Sequence, residues 1–362
     1  MSKTRHLVVS VSGHGYGHVA QTAPILNALH QSCPKLRITV RSSAPESHLR
    51  SRIHAPFDYL NSTGDIGMVM SSALAVDIEK SRSAYHAFHA DWEARVTEEA
   101  RLLKSLGADR VFSNVGYLPL AGAQRAGIAN VALCSLNWAD IYRHYCCEAS
   151  GKNARDNIIA AQIQSSYAGA DAFWRATPGM AMSNLANMTP VAPIAAIGTN
   201  RRGELHSHLK LSAHEKLVLV SMGGISSRLP VENWPRLDGV RYLLQANCCE
   251  LHPDAINFEA LPFSFSDLLA SSDALLCKPS YGSFVEAAGS GVPVLYANRP
   301  DWPEAPALIT WLQLHGVCRE MPQNSLENGD FAGMLIQILD APAVERITPN
   351  GAEQVAQYLA EP

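Results

Sequence analysis

The chain lacks the features that mark several broad protein classes. No uninterrupted apolar run approaches the roughly 20 residues that cross a bilayer, and the stretch Met1 to His6 is polar, unlike the start of a signal peptide. A net charge of −4 over 362 residues gives no sign of a surface that binds polyanions, which argues against nucleic acid as a partner. We therefore expect a soluble, cytoplasmic protein. Contact of a local surface patch with a membrane and the oligomeric state are left open.

Metal and redox motifs are also missing. The eight cysteines include the neighbours Cys146-Cys147 and Cys248-Cys249, but none forms a C-x-x-C pair, which argues against a zinc ribbon or a thioredoxin-type site. We expect reduced thiols of a cytoplasmic protein. No Asp-x-Asp motif is present, so no metal and no other cofactor is expected.

What the chain does contain is a regular alternation of short apolar segments and helix-length segments. Strands are predicted in the first half at 7–11, 36–40, 57–60, 110–113 and 130–133, and in the second half at 217–220, 241–244, 256–258, 274–277 and 292–296. This alternation predicts an α/β protein with mostly parallel sheets. The Pro- and Gly-rich stretch between the halves has no apolar period and is typical of a connector.

The predicted organisation is two doubly wound, Rossmann-like domains that face one another across a cleft. The boundaries are an N-terminal domain at 1–190, a linker at 191–205, a C-terminal domain at 206–345 and a C-terminal helix at 346–362 that is expected to pack back on the N-terminal domain. Ligands of such sheets bind at the carboxyl ends of the strands.

The most informative segment is Cys277–Glu286, where an apolar strand leads through Lys278-Pro279-Ser280-Tyr281-Gly282-Ser283 into a helix of small residues. Backbone N–H groups and hydroxyls at such a helix start stabilise an anion. Glu286, one turn further, is placed to accept hydrogen bonds from ribose hydroxyls. The segment suits a nucleoside diphosphate. Ser283 and Glu286 also have the S-x-x-E spacing of a capping box, which would explain both by helix initiation alone.

Two glycine-rich loops follow other strands. Ser12-Gly13-His14-Gly15-Tyr16-Gly17-His18 permits close approach of a ligand to the backbone at Gly15 and Gly17, and matches neither the dinucleotide fingerprint nor a P-loop. His14 and His18 suit a general base, or alternatively hydrogen-bond the turn itself. In the second half, a loop with Gly223, Gly224, Ser226 and Arg228 offers donors to a phosphate, although such turns also arise for steric reasons alone.

These motifs resemble the two-domain glycosyltransferases of the GT-B fold, notably the peptidoglycan N-acetylglucosaminyltransferase and UDP-glycosyltransferase groups. The chain is most similar to the glycosyltransferase-like N-terminal region of L-arabinokinases, over nearly its whole length. This likeness is carried by four segments: 13–18, Asn137-Trp138-x-x-Ile141-Tyr142, Tyr281–Ala287 and Pro303-Glu304. The resemblance stops at Pro362, and no kinase activity is expected from the residues present.

The resemblance implies roles for residues at matching positions. It implies that His18 is the base or lies against the acceptor, that Lys278, Ser280, Ser283 and Glu286 hold the nucleotide, and that Asp301 and Glu304 contact the donor sugar. Asn137, Trp138 and Tyr142 are expected on the acceptor side, where the aromatic residues either stack on the acceptor or pack as a helix. From its place in an apolar run, Phe263 or Phe265 is expected beside the nucleobase of the donor, or in the core.

One position departs from the pattern. Many UDP-glycosyltransferases orient the base with an Asp where this chain has Asn114. An amide can orient an imidazole but cannot stabilise an imidazolium with a full charge, so Asp140 or Glu148 are alternative partners.

The function that these observations predict is transfer of a hexosyl or N-acetylhexosaminyl group from a nucleotide sugar, with UDP favoured, to an acceptor hydroxyl. The reaction would be inverting and independent of metal. Two alternatives stay open: a nucleotide-sugar epimerase of the same fold, and a non-catalytic protein that binds nucleotide sugars. The sequence identifies neither the donor sugar nor the acceptor.

Overall fold

The chain forms two compact units. The computed structural model describes residues 5–148, 153–224, 228–342 and 345–361. Unit 1 consists of Met1–Ser71, Ala75–Ile194 and Asn350–Pro362, whereas unit 2 consists of Ser72–Leu74 and Ala195–Pro349. Three residues from the first half of the sequence are thus part of unit 2, which the sequence does not predict.

Unit 1 is built on a parallel sheet of seven strands within the described residues. The strands are β1 (His6–Val11), β2 (Arg37–Ser42), β3 (Asp58–Asn61), β4 (Arg110–Asn114), β5 (Ala129–Cys134), β6 (Ala172–Ala176) and β7 (Met188–Val191), in the order β3-β2-β1-β4-β5-β6-β7. Every residue of β1 is buried, as expected for a parallel strand covered on both faces. The helices of this unit are α1 (Gly17–Ser32), α2 (Glu46–Arg52), α3 (Ile78–Phe88), α4 (Trp92–Leu106), α5 (Tyr117–Ala126), α6 (Trp138–Tyr142), continued by a π-helical turn at Arg143–Glu148, and α7 (Ala154–Ala168).

Unit 2 repeats this design with six parallel strands among its described residues. They are β8 (Lys216–Ser221), β9 (Val240–Leu244), β10 (Ala255–Asn257), β11 (Ala274–Cys277), β12 (Val294–Ala297) and β13 (Cys318–Met321), in the order β10-β9-β8-β11-β12-β13. Its helices are α8 (Arg202–Leu209), α9 (Ala246–Cys249), α10 (Phe265–Ser271), α11 (Tyr281–Ser290), α12 (Ala305–His315), α13 (Ser325–Asn328) and α14 (Ala332–Leu339), with 3₁₀ turns at Val231–Asn233 and Phe258–Ala260. The predicted α/β class with two doubly wound sheets is confirmed.

The last helix, α15 (Gly351–Ala360), lies in unit 1 and packs on α1. The Arg5 guanidinium donates to the carbonyls of Ala360 and Glu361, at 2.7 Å each. The change of unit falls between Ile194 and Ala195, inside the stretch 191–205 that the sequence marks as a linker. The two ends of that stretch lie in β7 and α8. In the ranges described, none of the helices combines the length and apolar composition that a membrane crossing needs.

Candidate functional site

Each sheet brings a pair of candidate loops together at the point where its strand order reverses. In unit 1, β1 and β4 are neighbours and Val11 is paired with Asn114, so the glycine loop after β1 lies beside the end of β4. In unit 2, β8 and β11 are neighbours and Ser221 is paired with Cys277, so the loops after both strands start side by side. Loops diverge at such switch points and leave room for a ligand.

His18 occupies the switch point of unit 1. It is the second residue of α1 and is only 5% exposed. Its Nδ1 lies 3.0 Å from Asn114 Oδ1, at the end of β4, and 3.6 Å from the Cys134 sulfur. The imidazole therefore bonds to the end of a neighbouring strand, and the alternative in which it serves only its own turn does not apply.

The orientation of the Asn114 amide decides which nitrogen of His18 carries the proton. The Asn114 Nδ2 group donates to the His18 carbonyl at 3.3 Å and to Gln21 Oε1 at 3.1 Å. Because the His18 carbonyl can only accept, the nitrogen of the Asn114 amide must face it. The amide oxygen then faces His18 Nδ1, which carries the hydrogen. Nε2 is left as the proton-accepting nitrogen, the tautomer that a general base requires.

Burial keeps His18 in its neutral form. Desolvation lowers the pKa of the imidazole from 6.5 to about 4, and the hydrogen bond that His18 donates to Asn114 opposes this shift only in part. The position of His18 at the N-terminus of α1 also disfavours a positive charge on its ring. The alternative partners do not bond to His18: Asp140 accepts from Asn137 and Arg143, and Glu148 lies 3.9 Å from His144.

A buried carboxylate that the sequence does not single out lies behind the ring next to His18. Asp65, in the loop between β3 and α3, is 4% exposed and accepts hydrogen bonds from Ser12 Oγ and Trp138 Nε1, each at 3.0 Å. The Trp138 ring meets the rings of His14 and His18 edge-on, with centroids 5.1 and 6.0 Å apart. The fold thus brings Trp138 next to both histidines that the sequence predicts for the site.

The two remaining acceptor-side candidates have structural partners. Asn137 is the N-cap of α6, where its side chain accepts from the Asp140 backbone N–H at 2.8 Å. The Tyr142 hydroxyl donates to buried Asp156 at 2.7 Å. Their predicted role toward an acceptor stays a prediction.

In unit 2, the start of α11 rules out the capping-box explanation. The N-cap is Ser280, in extended conformation, and the helix begins at Tyr281. Ser283 is therefore the third helical residue and Glu286 lies in the interior of the helix, so the pair cannot form a capping box. Glu286 is only 3% exposed. Burial of a carboxylate is costly and calls for another explanation than helix initiation.

Two buried cations lie in the loops that follow the neighbouring strands β11 and β12. Lys278 is 7% exposed and its ammonium donates to the Ala73 carbonyl at 2.8 Å, whereas Arg299 is 4% exposed and its Nε donates to the Leu74 carbonyl at 3.0 Å. Desolvation, followed by repulsion from Arg299, lowers the pKa of Lys278 from 10.5 to about 7. Both carbonyls belong to Ser72–Leu74, the segment that is part of unit 2.

Gly223 belongs to the same group. Its φ of +81° is in the region that favours glycine, and a Cβ built there would lie 3.4 Å from Lys278 Cε and 3.5 Å from Nζ. The predicted glycine turn and the predicted lysine are therefore neighbours, and a side chain at position 223 would touch the lysine. Gly224 follows in the same loop and is half-buried.

The segment after β12 contributes Arg299, which the sequence analysis does not assign to the site. The guanidinium carbon lies 4.0 Å from the Trp302 ring centroid, and the Trp302 indole donates to Glu304 Oε2 at 3.1 Å. Glu304 is buried, whereas Asp301 is exposed. Tyr281, Gly282 and Ser283 form the first turn of α11.

Two donor-side candidates have other partners in the part of the chain that the structure describes. Arg228 has a 70% exposed side chain and pairs with Glu232 at 2.6 Å. The guanidinium carbon of Arg201 lies over the Phe263 ring, 4.6 Å from the ring centroid. Ser226 lies outside the described residues. In the first glycine loop, Gly15 has a φ of +76°, and Gly17 is the first residue of α1.

Comparison with known proteins identifies chains that are similar in sequence or in fold. No protein-family model matches the chain. The L-arabinokinase of Arabidopsis thaliana is 26% identical over 366 residues, which cover 99% of this chain and 35% of the relative. The chain therefore spans about a third of the length of that protein.

Solved structures of low sequence identity share the fold. The glycotransferase of kitacinnamycin superposes with a TM-score of 0.63 at 16% identity, covering 99% of this chain and 96% of its own. A UDP-glucose:anthocyanidin 3-O-glucosyltransferase in complex with UDP gives 0.56 at 12%, covering 99% of each chain. A proposed UDP-N-acetylglucosamine 2-epimerase from Listeria monocytogenes gives 0.58 at 13%, covering 99% and 95%. The predicted resemblance is confirmed: this chain has the two-unit GT-B fold.

Proposed function

We propose that the protein is a glycosyltransferase that takes a sugar from a nucleoside-diphosphate donor, with UDP favoured. The observation that carries the proposal is the group formed at the switch point of unit 2 by Lys278, Arg299, Gly223 and the start of α11. Two mutually repelling cations, buried beside a helix N-terminus, are stabilised when an anion joins them. A diphosphate satisfies both cations and the helix N-terminus.

The two cations already bind oxygen atoms of the chain itself. The Ala73 and Leu74 carbonyls accept from Lys278 and Arg299, and these neutral oxygens stand where phosphate oxygens would bind. Charged oxygens form the stronger hydrogen bonds with cations. We expect a bound diphosphate to displace these carbonyls and to raise the pKa of Lys278 back above about 7. Glu286 would accept hydrogen bonds from ribose hydroxyls.

In the proposed reaction, His18 Nε2 removes the proton of an acceptor hydroxyl as that oxygen attacks the anomeric carbon. The bond between this carbon and the diphosphate oxygen breaks, and the configuration inverts. Lys278, Arg299 and the α11 N-terminus stabilise the charge that develops on the leaving diphosphate, a contribution that fixed donors make most effectively. No metal is required in this scheme.

A second candidate is a nucleotide-sugar epimerase, which the similarity to the Listeria protein favours. The two functions differ in their products. A transferase releases nucleoside diphosphate together with a glycosylated acceptor. An epimerase changes the configuration of the sugar itself and needs no acceptor.

A product assay separates them. Wild type and His18→Ala are incubated with a panel of nucleotide sugars, with and without a metabolite extract as the source of acceptors, and all products are analysed by mass spectrometry and NMR. We expect an acceptor that gains one sugar mass, with a rate at least about 100-fold lower in His18→Ala. An epimerised sugar that forms without acceptor favours the second candidate. Turnover of neither kind contradicts both.

A further inference from the structure

Asp65 occupies a position that the proposed mechanism does not use. Its carboxylate is buried under the first glycine loop, and each oxygen accepts one hydrogen bond from a neutral donor, Oδ1 from Ser12 and Oδ2 from Trp138. Burying a carboxylate costs free energy that two neutral hydrogen bonds offset only in part. The burial of this carboxylate therefore needs an explanation in the function of the site.

The two donors connect Asp65 to both imidazoles. Ser12 Oγ accepts from the His14 backbone N–H at 3.3 Å, so the Asp65 carboxylate, the Ser12 hydroxyl and the glycine loop form one chain of hydrogen bonds. Trp138 is fully buried, and its ring contacts the edges of His14 and His18. Gly67, two residues after Asp65, has a φ of +64° and leaves no room for a Cβ, which would lie 2.7 Å from His14 Nδ1.

The titratable groups around Asp65 come from several elements. Besides His14 in the glycine loop and His18 on α1, they are three buried tyrosines: Tyr85 on α3, Tyr117 on α5 and Tyr167 on α7. The pKa of each tyrosine is raised mainly by burial and further by the Asp65 charge. The three tyrosines and His18 are neutral near pH 7. The influences resolved on Asp65 itself are burial and the bonds from Trp138 and Ser12.

We propose, on the basis of the function inferred above, that Asp65 is a positioning residue of the acceptor side: its ionised carboxylate fixes Trp138 and the Ser12 end of the glycine loop, and through them the positions of His14 and His18. Protonation would undo this arrangement. An indole N–H can only donate, and a protonated carboxyl turns one of its two acceptor oxygens into a donor.

This role predicts that activity falls on the acid side of its pH profile at a pH where His18 is still neutral. Burial raises the pKa of Asp65 from 3.8 to about 6, whereas the pKa of His18 is lowered to about 4. As pH falls from 7 to 5, His18 stays neutral while Asp65 takes up its proton. We expect activity to fall through about pH 6 even though the base is in its active form.

Three variants test the assignment by the pH dependence of kcat/KM for transfer. Asp65→Asn keeps the shape and imitates the protonated carboxyl, so we expect no acid limb near pH 6 and a rate near the acid plateau of wild type. Trp138→Phe keeps an aromatic ring but removes one donor to the carboxylate, so the limb should move to higher pH. Asp58→Asn, which alters an exposed pair with Arg37, should leave the profile as in wild type.

A readout without turnover separates this inference from the proposed function. In NMR spectra of the free protein, the Trp138 indole N–H signal, assigned by its loss in Trp138→Phe, should titrate with a midpoint near 6 and should not titrate in Asp65→Asn. The Cε1–H signals of His14 and His18 should follow the same midpoint. Signals independent of pH in wild type, or a titration that persists in Asp65→Asn, would overturn the role of Asp65. Absence of transfer with these titrations intact would count against the proposed function alone.

Discussion

Replacing Asn114 by Asp tests how unit 1 sets the basicity of His18. The amide oxygen of Asn114 lies 3.0 Å from His18 Nδ1, and both side chains are buried. A carboxylate centred about 4 Å from the imidazolium is worth ~4 kcal/mol at an effective dielectric constant of about 20, or about 3 pKa units. The cost of burying the new charge reduces this gain. We therefore expect Asn114→Asp to raise the pKa of His18, about 4 in wild type, by about 1–3 units.

The assay is an NMR titration of the His18 Cε1–H signal, assigned by its loss in His18→Gln. Asn200→Asp is the matched control, because it adds the same charge at an exposed residue whose Oδ1 accepts from the Arg202 N–H at 3.1 Å. The control should leave the pKa of His18 unchanged. An unchanged pKa in Asn114→Asp, or an equal shift in both variants, would refute the idea that Asn114 is the Nδ1 partner.

Three further predictions concern stability, each measured by urea unfolding. Gly223→Ala places a Cβ at a φ of +81° and should destabilise by about 1–2 kcal/mol. Gly333→Ala is the matched control: it lies at an exposed position in the first turn of α14 with open space for a Cβ, and should stabilise by about 0.5 kcal/mol. Equal effects of the two substitutions would contradict the role of φ at Gly223. Arg41→Met leaves the buried carboxylate of Glu99 without its ion-pair partner; the two side chains are 2% and 6% exposed in wild type. We expect a loss of about 3–5 kcal/mol in stability, most of which the double variant Arg41→Met/Glu99→Met recovers. A double variant as unstable as the single one would argue against a charge effect. Burial raises the folded-state pKa of Asp65 from 3.8 to about 6, so between these values the folded state binds a proton that the unfolded state lacks. Wild type should therefore gain about 2 kcal/mol of stability relative to Asp65→Asn as pH falls from 7 to 4; a constant difference would show that the pKa of the carboxyl is not perturbed.

Apolar runs identify the central strands of the two sheets most clearly. The run at 7–11 corresponds to β1, which is buried throughout, and the run at 274–277 corresponds to β11. Two of the strands that escape prediction, β7 and β13, lie at sheet edges. They carry exposed residues and, in β7, a proline. An edge strand is not buried on both sides, so it lacks the apolar run by which a central parallel strand is recognised.

The candidate site was predictable to the extent that it follows strands directly. The loops with His18 and with Lys278 could be found because an apolar strand, a glycine- or serine-rich turn and a helix succeed one another. Asp65 had no such signal: it lies in an irregular polar stretch and reaches Ser12 and Trp138 only through the fold. The carbonyls that bind Lys278 and Arg299 belong to the backbone, and backbone contacts leave no trace in residue type.

The most direct test of the central claim, that unit 2 holds a nucleoside diphosphate at the start of α11, is a thermal-shift titration with UDP, GDP, dTDP, ADP and CMP. It is run on wild type, on Glu286→Ala and on Glu353→Ala, a control that removes an exposed glutamate of α15. We expect a rise in Tm with one diphosphate in wild type and in the control, equivalent to about 2.7 kcal/mol at roughly 100 times the Kd. The rise should be lost in Glu286→Ala. No shift with any nucleotide at millimolar concentration, or a shift that Glu286→Ala retains in full, would contradict that claim.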